Sequence, residues 1–379
     1  MVTITVIGWY GTETIGDRAI LAGLIRIFGE LYDDFEIKLG SLFPVLSERT
    51  LLEDGHFFKS CSRQHLSSMS VFPSLNHRIL KKEIYSSDLL IVGGGPLMDM
   101  PLLYMLEYAF QIAQKYCVKC ALLGCGWGPL HQKEYISCVN KIIQMSDLNI
   151  FRDSQSEKEC RLYLSKEDSK TTYLIDPAFL AADYYLQKNI DVLRQEAFVS
   201  VNFRDIALDQ YKGDSLVYEK QFKLLLSELV EKTSVPIKLI PMHTFTIGGD
   251  DRIILDKIQK QMGNEQILVQ HDPLSLEETM NIYYHSLLCV GMRFHSIVLQ
   301  TVLNGKNYLL DYTDPVTGKI VGMLDELQLL PFYHKRYCSL QSREQMFHID
   351  SNIQRFTFNE RTFSNYLRCY KEKIRLISI

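Results

Sequence analysis

The sequence has no excess of basic charge, no long unbroken apolar run and no familiar nucleotide or metal motif, and each absence removes a class of function. Lysine and arginine number 41 against 45 aspartates and glutamates in 379 residues, a net charge of −4. That balance excludes the broad basic surface used to bind nucleic acid, so any anion site has to gather a few cations locally. The most apolar region, 88–110, is broken by Gly93-Gly94-Gly95, Pro96 and Asp99, and no transmembrane segment is expected. Met1 leads straight into the alternating run Val2-Thr3-Ile4-Thr5-Val6-Ile7, which lacks the basic start and continuous apolar core of a secretory signal. A cytoplasmic location is expected, with peripheral association at the inner face of the membrane left open.

Small-motif absences are equally informative. No Gly-Lys-Ser/Thr phosphate loop, GxGxxG fingerprint, HExxH, EF-hand or pair of CxxC motifs occurs, so neither a bound metal nor a cofactor is expected. The nine cysteines are odd in number and scattered, as reduced thiols are. Cys117 and Cys120 have redox or zinc spacing, but the second runs directly into Ala121-Leu122-Leu123, which favours structural cysteines.

What is present is an ordinary globular composition, 46% apolar and 23% charged, with enough length for two domains. In the N-terminal half, short apolar runs at 3–7, 89–92, 121–123 and 148–151 each lead into glycines or charged residues and then a helical stretch. Such runs suit parallel strands covered by helices on both faces, whose ligands bind beyond the carboxyl ends of the strands. A second series follows, with strands expected at 197–202, 236–241, 267–270, 287–290 and 307–310 and helices at 217–232, 252–262, 276–284 and 295–303. The expected fold is α/β, two Rossmann-like doubly wound domains facing a cleft. Residues 1–182 form the first, 197–350 the second, and a polar stretch, 183–196, separates them. Residues 351–379 read as a C-terminal helical segment that packs back on the first domain or the second.

Candidate chemistry clusters at the strand ends. Gly8 to Asp17 joins the first strand to a helix, where Gly16 offers close backbone approach and Asp17 reads as an N-cap or a cleft carboxylate. Gly93-Gly94-Gly95 and Gly124-Cys125-Gly126 suit either tight turning or close passage of a ligand. Arg152 reads as a clamp for carboxylate or phosphate, or as an ion-pair partner of Asp153. Gly291-Met292-Arg293-Phe294-His295 places an arginine and a histidine at a helix start, which favours function over a satisfied core histidine. Lys319 reads as a third cation or a surface lysine, and Asp250-Asp251 as hydroxyl-activating carboxylates or a solvated acidic turn.

In order, these segments resemble the polysaccharide pyruvyl transferase family across most of the chain, from Gly8 to Lys319. The opening glycine-rich element, the triple glycine with Asp99, Gly124 to Leu130, Arg152-Asp153-Ser154-Gln155-Ser156, Asp176-Pro177 and Gly291 to His295 carry the likeness. Departures are Thr14 and Arg18, where the family often has Asn and Glu, and the additional Val316-Thr317-Gly318 before Lys319. The resemblance implies a GT-B-like enzyme that takes phosphoenolpyruvate as donor substrate in an interdomain cleft. It would form a pyruvate ketal on a sugar of a cell-surface or capsular polysaccharide precursor, an acceptor that is lipid-linked or free. On this reading His295 takes acid or phosphate-binding duty, and Asp17, or the pair Asp250 and Asp251, activates or orients the acceptor hydroxyl. Donor and acceptor binding fall to Arg152, Arg293, Lys319, Gly16, Gly94, Gly95, Gly126, Ser156 and Gly291. The competing readings are a GT-B glycosyltransferase using a nucleotide sugar and a non-catalytic carbohydrate-binding relative.

Overall fold

The computed structural model describes residues 1–163, 168–189, 193–194, 197–206, 215–245, 249–341, 348–350 and 352–377. Parts of the expected linker (190–192 and 195–196), the end of the second expected domain (342–347), residue 351 and the last two positions lie outside the described residues. The chain divides into two compact units. One comprises Met1–Glu13, Asp17–Tyr184 and Asn359–Ile379; the other comprises Thr14–Gly16 and Tyr185–Phe358.

The first unit is built on strands β1 (Val2–Ile7), β2 (Phe35–Ser41), β3 (Leu66–Pro73), β4 (Leu89–Gly93), β5 (Pro96–Leu97), β6 (Lys119–Trp127), β7 (Leu148–Phe151) and β8 (Thr171–Tyr173). They pair in the order β3-β2-β1-β4-β6-β7-β8, with β5 also on β6, and every pairing is parallel. The central strands explain this arrangement. Ile4, Val6, Leu90, Ile91, Ala121 and Leu122 are all fully buried, so both sheet faces need helical cover. Outer strands are less apolar: β3 exposes Ser67 and Ser68, and β8 is Thr-Thr-Tyr.

The second unit uses β9 (Val199–Val201), β10 (Ile237–Leu239), β11 (Ile267–Val269), β12 (Cys289–Gly291), β13 (Asn307–Asp311) and β14 (Tyr337–Ser339). Their order, β11-β10-β9-β12-β13-β14, is again wholly parallel. Both sheets thus reverse their winding once, between β1 and β4 and between β9 and β12. In doubly wound sheets ligands bind beyond the strand ends at that reversal.

Two expectations change, and one stretch that the sequence left unread gains its elements. The first helix runs Ile15–Gly29, so Asp17 lies inside its first turn and is not the cap. A carboxylate there still meets the favourable end of the helix dipole. The expected polar linker begins inside helix Ala178–Lys188, because Ala181, Ala182 and Tyr185 are buried. Residues 35–85, where short apolar runs are scarce, contain two strands and the helices Pro44–Cys61 and His77–Tyr85. At the other end of the chain, helix Arg361–Arg375 belongs to the first unit. It buries Phe363, Leu367, Tyr370 and Ile374, stacks Phe363 on Phe179 and donates the Tyr370 hydroxyl to the Ile175 carbonyl at 2.7 Å.

Candidate functional site

In the second unit, the winding reversal is braced by a single amide. Asn202, fully buried just past β9, accepts the Arg293 backbone N–H at 3.0 Å and donates to the Ile240 carbonyl at 2.9 Å. This ties the ends of three strands together and fixes Arg293 as the residue preceding helix Phe294–Leu303. The Ser296 hydroxyl donates back to the Arg293 carbonyl at 2.7 Å, closing the first turn. Two residues before Arg293, Gly291 packs closely on this helix, since a Cβ there would lie 2.6 Å from Gln300 Oε1 and 2.9 Å from Ile297 Cγ1.

The Arg293 guanidinium donates through Nε to Asp251 Oδ2 at 2.8 Å. The same carboxylate accepts the backbone N–H groups of Met242 and His243 at 3.1 and 3.2 Å, and Asp251 is only 1% exposed. Its oxygens are already committed, so it holds Arg293 in place, and the geometry does not suit it to take a proton from a substrate. Asp250 is committed differently: it caps helix Asp251–Met262 by accepting the Arg252 N–H at 3.0 Å. The Arg252 side chain, bonded to Asp250, holds its carboxyl below the usual range against the opposing effect of burial. The two carboxylates expected to act as a hydroxyl-activating pair, or as a solvated acidic turn, are thus a buried anchor and a helix cap.

His295 packs on Gly16, where a Cβ would come within 2.1 Å of its Nδ1. Segment Thr14–Gly16 groups with this unit, bridging Thr14 to His243 and donating the Ile15 N–H to the Met242 carbonyl at 3.1 Å. Lys319 opens helix Lys319–Glu326. The additional residues before it form a tight turn on Asp314, whose carboxylate accepts the N–H groups of Val316 and Thr317 at 2.9 and 2.7 Å. Lys319 Nζ lies 5.8 Å from the Phe294 ring centroid and 5.1 Å from that of Tyr312. Burial by itself would raise the Tyr312 phenol, but Lys319, Arg204 and Arg293 bring it down to about 8. Arg293 and Lys319 therefore share one electrostatic environment, with Arg204 as a third cation.

Sequence reasoning missed Arg204, Asn202 and Tyr312. The signal for Arg204 was available: it follows the carboxyl end of β9, the same kind of position that singled out Arg152 and Arg293.

The first unit holds the remaining candidates. Arg152, at the end of β7, is 7% exposed, with Asp153 and Asp176 oxygens at 3.7 and 3.6 Å. Gly126 makes room for it, since a Cβ there would meet the guanidinium at 2.6 Å. Asp153 caps helix Ser154–Arg161 through the Ser156 N–H, and the Ser156 hydroxyl accepts the Trp127 N–H at 2.9 Å. Gly94 and Gly95 take φ of +72° and +73°, a region costly for other residues, and lie against Ile20 and Trp9. Space at the triple glycine is thus filled by side chains of this chain. Asp17 is half-buried, with the Thr12 hydroxyl 3.4 Å from its Oδ2. The Cys125 thiol beside Arg152 is pushed up to about 12 by burial, which makes it a poor nucleophile.

Solved structures similar in fold include the UDP-GlcNAc 2-epimerase from Methanocaldococcus jannaschii, at 13% identity and a TM-score of 0.58 over 98% of this chain and 100% of that one. Another is S. aureus MnaA in a co-structure with UDP, at 12% identity and a TM-score of 0.55 over 100% of this chain and 98% of that one. At such identities the likeness concerns the fold, which is of the GT-B type with two Rossmann-like domains. Among the described residues no helix is long and apolar enough to cross a membrane. No curated protein sequence matches the chain. A family model described as polysaccharide pyruvyl transferase matches residues 15–314, a span that contains the Asn202, Arg293 and His295 brace and ends at Asp314, five residues before Lys319. This chain belongs to the polysaccharide pyruvyl transferase family.

Proposed function

We propose that the protein transfers a pyruvyl group from phosphoenolpyruvate to two hydroxyls of one sugar in a cell-surface polysaccharide precursor, releasing phosphate and leaving a cyclic ketal. The observation that carries this reading is the set of cations at the second sheet's winding reversal, where Arg293 and Lys319 act on one buried phenol and His295 stands two residues from Arg293. A donor with a carboxylate and a phosphate needs several cations within a few ångströms, and a neutral sugar needs none. The chain's net charge of −4 makes that local gathering a departure from the average surface.

Protonation of the donor's methylene carbon turns it into a methyl group and leaves an oxocarbenium-like centre at C2. The first sugar hydroxyl attacks that carbon and loses its proton. Phosphate departs with its bridging oxygen, and the second hydroxyl closes the ring, also losing a proton. His295 serves as the proton carrier or phosphate ligand, since an imidazole can both donate and accept a proton. Arg293, kept rigid by Asp251 and Asn202, and Lys319 hold the anionic groups, and Arg152 is a further clamp. Asp17 orients the acceptor hydroxyl. The scheme needs neither metal nor cofactor, and its acceptor is lipid-linked or free.

Incubation with phosphoenolpyruvate and a panel of sugar diols should release inorganic phosphate only when an accepted sugar is present. Phosphoenolpyruvate should raise the thermal midpoint, while nucleotide sugars leave it unchanged. Protection by a nucleotide sugar and none by phosphoenolpyruvate would replace this reading with glycosyl transfer.

A further inference from the structure

Arg204 stands three residues beyond β9, the strand that faces β12 across the winding reversal. Its backbone N–H points to Met292 Sδ at 3.4 Å, and Asn202 takes the Arg293 N–H, so segments 202–204 and 292–293 are stitched together. Its guanidinium carbon sits 4.9 Å from the Tyr312 ring centroid, and Lys319 Nζ sits 5.1 Å from the same centroid. Tyr312 is 4% exposed, whereas Arg204 and Lys319 are half-buried, so the ring is a floor beneath two cations that reach solvent. Cation–ring attraction partly offsets the repulsion of two like charges placed together. An anion seated between the two cations offsets more of it.

We infer that Arg204 is a further anion-binding residue of this site, and that Tyr312 is the positioning residue that seats it beside Lys319. The inference rests on the reading of the site as one for an anionic donor.

Groups facing Tyr312 set the pH behaviour. Lys319 comes from its own helix, Arg204 from the segment after β9, and Arg293 from the segment after β12. Asp311, the residue before Tyr312, is fully buried and accepts from the Thr313 N–H at 2.7 Å and the Tyr337 hydroxyl at 2.8 Å. With its phenol lowered to about 8, Tyr312 is neutral at pH 7 and becomes a phenolate as pH rises through 8. The new negative charge competes with a bound anion, so affinity falls over that interval.

The test measures binding of phosphoenolpyruvate and of inorganic phosphate to the full chain by calorimetry, from pH 6.5 to 9. Arg204→Gln should weaken both by roughly 10- to 100-fold, and Arg204→Lys should restore part of the loss. Tyr312→Leu should weaken both through loss of the ring. Tyr312→Phe should bind normally at pH 7 and lose the weakening that the natural chain shows through pH 8. Unchanged affinity in Arg204→Gln overturns the first half of the inference. Unchanged affinity in Tyr312→Leu, or the same pH profile in Tyr312→Phe, overturns the second. If the natural chain binds phosphate but not phosphoenolpyruvate, the proposed donor is wrong, and the variants still decide the inference against phosphate. Binding of neither anion overturns both.

Discussion

Contact between Gly16 and His295 sets a limit on what residue 16 can be. A methyl group there would lie 2.1 Å from the ring nitrogen, and the neighbouring Thr14 and Ile15 are tied to residues 242–243, so the backbone has little room to retreat. The imidazole has to turn away instead. Gly16→Ala should therefore lower turnover in phosphate release while leaving the KM for phosphoenolpyruvate within a few-fold, because Arg293 and Lys319 are not displaced. His295→Gln gives the comparison: if His295 carries the proton as proposed, its loss lowers the rate by about 10²- to 10⁴-fold. Steady-state kinetics on both variants checks the link. Full turnover in Gly16→Ala together with a deep loss in His295→Gln would show that ring orientation against residue 16 is immaterial.

At the scale of elements, helix Asp251–Met262 delivers Asp251 to Arg293, and its start depends on Asp250. Replacing an N-cap aspartate with alanine costs about 1 kcal/mol of stability. Asp250→Ala should lower the thermal midpoint by a few degrees and raise the KM for the donor modestly, through looser placement of Asp251. The sign with pH follows from the lowered carboxyl of Asp250: its stabilisation is present above the unfolded value and lost as pH falls through the folded one. The stability gap between the natural chain and Asp250→Ala should therefore narrow on acidification below pH 4, and a gap that stays constant to pH 2 would contradict it. This element also shows what the sequence made legible. Short apolar runs announced β1, β4 and β6, because burial on both faces leaves little polar alternation, whereas β2 alternates Glu36 and Lys38 with buried residues and was not announced. Strands β3 and β8 stayed hidden because edge strands such as these carry serines and threonines. Arg293 and His295 stood out beside a glycine at a helix start. Arg204 has the same kind of place after a strand, but its partners Tyr312 and Lys319 are more than 100 positions away and only the winding of the sheet brings them near. The separate duties of Asp250 and Asp251 were hidden too, because adjacent carboxylates look alike until backbone donors are placed around them.

At the scale of the whole molecule, the chain leaves its first unit after Tyr184 and returns to it at Asn359. The returning helix contributes four buried side chains, Phe363, Leu367, Tyr370 and Ile374, along one face. Full burial of such a side chain contributes roughly 1.5–3 kcal/mol, so the set is comparable with the 5–15 kcal/mol net stability typical of a domain. Lys371 adds an ion pair with Glu30 at 3.1 Å, and the Tyr370 hydroxyl satisfies the Ile175 carbonyl one residue before Asp176, an acid beside Arg152. Residues 359–379 group with the first unit. Truncation after Phe358 should therefore destabilise the two units unequally. Hydrogen exchange should accelerate across β1, β4, β6 and β7, while β9, β10, β12 and β13 keep most of their protection. Two units also imply that unfolding need not be a single transition. Calorimetry of the truncated chain should show one component moved to lower temperature and the other nearly in place. Equal acceleration in both sheets would mean that the helix stabilises the molecule as one cooperative body, against the division that the packing describes.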